Sequence, residues 1–126
     1  DLHYNLGVKM LNDKYGIQVR GGCACAGPYG HCLLNISQNY SKLINETITG
    51  GDMTVKPGWI RMSIHPIMTN SEVEYILDGI EKLASKFKKW EKNYVYQPNK
   101  NEFIHAESDV DSLHHLNVED WFEVSL

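Results

Sequence analysis

Tyr15-Gly16-Ile17-Gln18-Val19-Arg20-Gly21-Gly22-Cys23-Ala24-Cys25-Ala26-Gly27 is the stretch on which the fold turns. Ahead of it, Leu2, Leu6 and Met10, with Val8, Leu11 and Tyr15 on a neighbouring stripe, recur at helical spacing. That predicts a helix over 2–14 stopped at Tyr15-Gly16. Ile17-Gln18-Val19-Arg20 then alternates apolar with polar, which predicts a short strand. Ile17 and Val19 face a core, and Gln18 and Arg20 point away from it, toward the start of a glycine-rich loop.

Further along, Ile36, Tyr40, Leu43, Ile44 and Ile48 form a stripe that predicts a helix within 30–48, broken by Gly50-Gly51-Asp52. Lys56-Pro57-Gly58 marks a turn. Trp59-Ile60-Arg61-Met62-Ser63-Ile64-His65 alternates again, with Ile60, Met62 and Ile64 on one face and Trp59, Arg61, Ser63 and His65 on the other. Thr69 followed by Glu72 is a capping-box pattern. Behind it Val73, Ile76, Leu77, Ile80, Leu83, Ala84, Phe87 and Trp90 sustain a helical stripe to about residue 91. Tyr94-Val95-Tyr96 and Glu102-Phe103-Ile104 flank Pro98-Asn99-Lys100-Asn101 and predict a final hairpin or two edge strands. The expected fold is α+β: a small, mostly antiparallel sheet with two or three helices packed on one face. Residues 1–104 make the domain, and 105–126 are an acidic tail, docked or disordered.

The chain has 126 residues, 42% of them hydrophobic, enough for one modest core. A net charge of -4 gives no basic field for nucleic acid or an anionic membrane. No apolar run approaches the roughly 18 residues that span a bilayer, and Asp1-Leu2-His3-Tyr4-Asn5 lacks a signal-peptide pattern. All three cysteines lie within 23–32, a poor disulfide framework, so a reducing, cytoplasmic setting is expected. In that setting the sequons at Asn35, Asn39 and Asn45 read as ordinary polar helix residues.

The cysteine loop is where chemistry is expected. Arg20 close to a thiol favours the thiolate, and the surrounding glycines let the backbone approach a ligand. Each residue also has a plainer reading. Cys25 is either a reactive thiol or a small buried hydrophobe, and Arg61 is either a ligand-binding group or a structural ion-pair partner. Cys23 and Cys32 are incidental thiols, or with His31 they form part of a zinc site. His65, His114 and His115 have no motif support. Lys82, Lys86, Lys88, Lys89 and Lys92 suit a solvated face near a helix C-terminus.

Taken together, the stretch from Tyr15 to Gly27, the stretch from Pro57 to Ile64, and Thr69 resemble the C-terminal small domain of class V aminotransferases. These are pyridoxal-phosphate enzymes that include cysteine desulfurases and selenocysteine lyases. The resemblance covers about residues 2–92. It implies that Arg61 grips the substrate carboxylate, a task suited to its planar donor fork. It also implies that Arg20 helps position substrate or favours the thiolate, and that Cys25 is the persulfide-forming nucleophile.

The same resemblance places the Schiff-base lysine and the phosphate cradle in a large upstream domain. The chain is then a fragment, inactive alone and without bound pyridoxal phosphate, of an enzyme that works as a homodimer. Its expected partners are an amino-acid substrate and a sulfur-acceptor protein. Transamination and selenocysteine cleavage are the alternatives within the family. A non-enzymatic thiol or zinc-binding module is the alternative outside it. No metal ligand is assigned.

Overall fold

The computed structural model describes residues 2–23, 27–98 and 100–107. Helix α1 (Tyr4–Tyr15) leads into strand β1 (Arg20–Gly22), helix α2 (Gly27–Leu33) and helix α3 (Gln38–Thr49). Strand β2 (Trp59–Arg61), the long helix α4 (Asn70–Trp90) and the hairpin of β3 (Tyr94–Gln97) and β4 (Glu102–His105) follow. The fold is α+β, as the sequence predicts. Its antiparallel strands form two separate two-stranded sheets, β1–β2 and β3–β4. Cys25 and the tail from 108 onward lie outside the described residues. Among the described residues, no helix is long and apolar enough to cross a membrane.

Helix α1 is the element on which α4 and three of the four strands pack. Its stripe puts Met10 and Leu11 at 0% and 1% exposure, and α4, β1, β2 and β4 all pack against it. Leu6, Ile17, Leu83 and Tyr94 complete the buried core, with Val19, Ile60, Met62, Ile76, Phe87, Trp90 and Phe103 packed around it. Gly16, left-handed at φ 64°, caps the helix with its N–H on the Asn12 carbonyl. Tyr94 sits at the edge of this core and donates to Asp13 at 3.2 Å. Its hydroxyl is pushed up to about 12 by burial first and by the Asp13 charge second.

The other end of α1 is capped by His3, whose Nδ1 accepts the Asn5 N–H at 3.2 Å. The ring stacks on Tyr4 at 4.5 Å between centroids and lies 5.3 Å from Phe103. Burial lowers its pKa below 6.5, and its Nε2 is buried with no hydrogen-bond partner among the described residues. The neutral ring is the form that caps, because Nδ1 can accept only when unprotonated.

Several expectations need correcting. The ladder begins at Arg20, not at Ile17, although Ile17 and Val19 still turn to the core. The 30–48 region is two helices. Asn35, at φ 53°, ends α2 in a turn where Ile36 N–H reaches His31 O and Asn35 N–H reaches Cys32 O. That pattern is a Schellman stop, with asparagine tolerating the left-handed position. Ser37 then caps α3 by accepting the Tyr40 N–H. Asn35 and Ser37 are therefore helix boundaries, not helix interior. Of the α3 stripe only Ile44 is buried, and Tyr40 and Leu43 stand in solvent. The second alternating run pairs only over 59–61, and Ile64 is exposed. The α4 prediction stands, with both halves of the Thr69–Glu72 capping box formed.

Met10→Ala should cost about 2–5 kcal/mol, whereas Ile67→Ala, at 84% exposure, should stay within about 0.5 kcal/mol; urea denaturation reads both. The His3 environment adds a pH dependence. Its folded pKa is depressed, so below 6.5 the unfolded chain takes up the proton first, and stability falls as pH drops toward the folded value. His3→Asn keeps a cap acceptor without a titrating ring. It should flatten that part of the stability loss between about pH 7.5 and about pH 5.5; equal slopes for the two proteins would show that His3 contributes none of it.

Candidate functional site

The β1–β2 ladder sets the site. Arg20 pairs with Arg61, Gly21 with Ile60, and Gly22 with Trp59. Directly opposed residues in an antiparallel pair share a face, and successive residues alternate. Gly21 and Ile60 therefore face α1, while Arg20, Arg61, Gly22 and Trp59 face outward. Tyr4 is the seat on the inner side: a Cβ on Gly21 or on Gly58 would come within 2.8 Å of its ring. Only glycine lets the strand lie that close to the helix. Ile60 packs into the core from the same side.

On the outward face two guanidinium side chains stand side by side and exposed. Neither has an acidic partner among the described residues, whose ion pairs are Lys9–Asp13 and Lys82–Asp78, both on helix surfaces. Like charges directly opposite each other on a ladder destabilise it. The structural ion-pair reading of Arg61 thus finds no described counter-ion.

The cysteine loop begins one residue beyond this ladder. Gly22, at φ 111°, turns the chain out of β1. Cys23 is half-buried, and its thiol donates to the Pro57 carbonyl in the turn ahead of β2. On the far side of the loop, α2 lies over Trp59, with Gly30 facing the indole edge at a spacing where a Cβ would come within 3.1 Å. Cys32 is exposed on α2. His31 Nδ1 and Ser41 Oγ are 2.7 Å apart and tie α2 to α3. That contact spans ten residues of sequence, and nothing in the spacing announced it.

An open cleft of about 620 Å³ lies beside the loop, bordered by Tyr4, Cys23, His31, Asn45, Lys56 and Asn101. Arg20 and Arg61 do not line it. Among the described residues, no group of three histidine, cysteine or acidic side chains is arranged to hold a metal. Pyridoxal phosphate needs a lysine amine for its carbonyl and several donors around its phosphate. Lys56 is the cleft's one lysine, and no arginine, serine or threonine lines the cleft to hold a phosphate. Elsewhere Lys14 lies over the Trp90 ring, and Lys9 and Lys82 are in ion pairs. The described lining of this cleft does not fit that cofactor.

Family models, curated proteins and solved structures were compared with the chain, and none matches it.

Removing one guanidinium from an unneutralised pair relieves repulsion. Arg61→Gln should leave stability unchanged or raise it by up to about 1 kcal/mol, with the larger gain at low salt. A clear loss of stability in urea denaturation would instead assign Arg61 a structural partner.

Proposed function

We propose that this chain is the small domain of a pyridoxal-phosphate-dependent class V aminotransferase-like enzyme, of the cysteine desulfurase kind, and that the outward face of β1–β2 receives the substrate carboxylate. The observation that carries the reading is the juxtaposition of Arg20 and Arg61 on one face without a described counter-charge. A carboxylate placed between them supplies the missing charge and accepts parallel N–H bonds from a guanidinium fork. The resemblance adds Cys25, five residues after Arg20 in the loop that leaves this face, as the thiol that takes sulfur from L-cysteine.

On this reading the cofactor is held by a separate large domain, and the chain alone turns over nothing. Its own residues bind and orient the substrate: Arg61 fixes the carboxylate, Arg20 supports it, and Cys25 supplies the thiol. The setting is cytoplasmic and reducing, and the full enzyme is a homodimer that passes sulfur to an acceptor protein. Transamination and selenocysteine cleavage use the same carboxylate grip. They differ in not requiring Cys25 as the nucleophile. The zinc-module reading draws less support, because Cys23, His31 and Cys32 are not grouped among the described residues in a way that could hold a metal.

Two measurements test the reading. Titrating the chain with L-cysteine should shift the side-chain NMR signals of Arg20 and Arg61, and cysteamine, which lacks the carboxylate, should not; equal response to both defeats the carboxylate role. In the full enzyme supplied with pyridoxal phosphate, Arg61→Lys should lower kcat/KM by about 100-fold, mainly through KM, because a point charge replaces a positioned fork. Cys25→Ser should abolish release of both alanine and sulfide. Retained activity in that variant moves the assignment to transamination or selenocysteine cleavage.

A further inference from the structure

The two sheets are separated by an open groove of about 690 Å³. One face of α1, with Asn5, Val8 and Asn12 at helical spacing, lines it. Gln18 and Val19, which lead into β1, form one wall, and residues 102–104 of β4 form the other. Neither β2 nor β3 contributes a described residue to the lining. β1 is paired with β2 alone and β4 with β3 alone, so the sides of the two sheets that meet the groove are the unpaired ones.

The walls run in opposite directions along α1. Ile17 N–H donates to the Leu11 carbonyl, and Gly21 lies against Tyr4, so the chain from Ile17 to Gly21 is antiparallel to the helix. The Asn101 carbonyl accepts from Asn5 Nδ2 at 2.7 Å, whereas Tyr94, opposite His105 in the ladder, donates to Asp13. β4 is therefore parallel to α1.

An unpaired strand edge presents a row of backbone N–H and C=O groups. An extended polypeptide matches two such edges at once, because its own backbone groups point alternately to either side. It would continue both existing ladders and join them into one five-stranded mixed sheet, where each sheet of two strands is marginal alone. Its inward side chains would lie over Val8, between Val19 and Phe103, which calls for small apolar residues at alternate positions. On the rim, Lys100 and Glu102 have no ion-pair partner among the described residues. An outward acidic residue beside Lys100 and a basic one beside Glu102 complement them.

We propose that this groove is the docking site for an extended segment of a second, different polypeptide, which inserts as a strand between the Gln18–Val19 wall and β4 with small apolar residues toward α1. The inference uses neither arginine and stands apart from the carboxylate-binding reading of the β1–β2 face.

The probe is a synthetic peptide of about seven residues, alternating valine and threonine between a terminal lysine and a terminal glutamate. Titrated into the chain, it should shift amide signals on both walls together and saturably, and slow the exchange of wall amides at least about 10-fold. Two further peptides carry N-methyl groups on alternate amides, one along each edge. Each should bind at least about 10-fold more weakly, since each loses one ladder. Val8→Arg should abolish the shifts while the Met10 and Leu11 amides stay slow to exchange as the control for folding; if that variant unfolds, the N-methyl pair decides alone. A peptide without effect at either wall overturns the proposal, as does weakened binding of only one methylated peptide, which means addition to a single edge. Protection of both walls that grows with protein concentration in the absence of peptide overturns it in favour of a second copy of this chain.

Discussion

The burial of Met10 and Leu11 in α1 is the constraint on which the rest of the molecule depends. A short chain has one core to make, and here α1 is at its centre, touched by α4, by both strands of the first sheet and by β4. Two-stranded sheets this small are marginal by themselves. Each gains its stability by laying one face on the helix. The consequence for the site is direct: with Gly21 and Gly58 pressed on Tyr4 and Ile60 in the core, the ladder has a single available orientation. The face bearing Arg20 and Arg61 is thereby fixed as the outer one.

Much of this was legible in the sequence because local pattern and tertiary demand agree there. The α1 stripe, the Gly16 stop, the Thr69–Glu72 box and the long α4 stripe each follow from spacing and capping chemistry that the surroundings reinforce. The direction of Arg20 and Arg61 was legible from alternation alone. What escaped depends on partners distant in sequence. A strand is registered by its ladder, so the apolar alternation of 17–20 placed the core side chains correctly and the paired residues wrongly. The break at Asn35 needed recognition that asparagine takes a left-handed turn. The stripe of α3 looked like a core face, yet only Ile44 found one. The link between His31 and Ser41 has no sequence signature, since each residue type is common at helix surfaces.

A like-charge pair on a two-stranded ladder is a local conflict in a fold that is otherwise consistent. Its energetic penalty is modest per pair. Nevertheless nothing in packing requires it: neither arginine is in the core, and either position would accept a neutral residue on an exposed strand face. Conflicts of this kind concentrate where a ligand supplies what the fold withholds. A carboxylate is the simplest group that does so.

The described residues that flank the cysteine loop are both tied to one segment of the chain. On one side Cys23 is tied through its thiol to the Pro57 carbonyl; on the other, Gly30 of α2 rests on Trp59. Both anchors belong to the segment Pro57–Arg61, the same one that delivers the second arginine to the ladder. Cys23 and Gly30 are therefore both seated against the segment that carries Arg61. A change in β2 would disturb the Arg20–Arg61 face and the described flanks of the loop together.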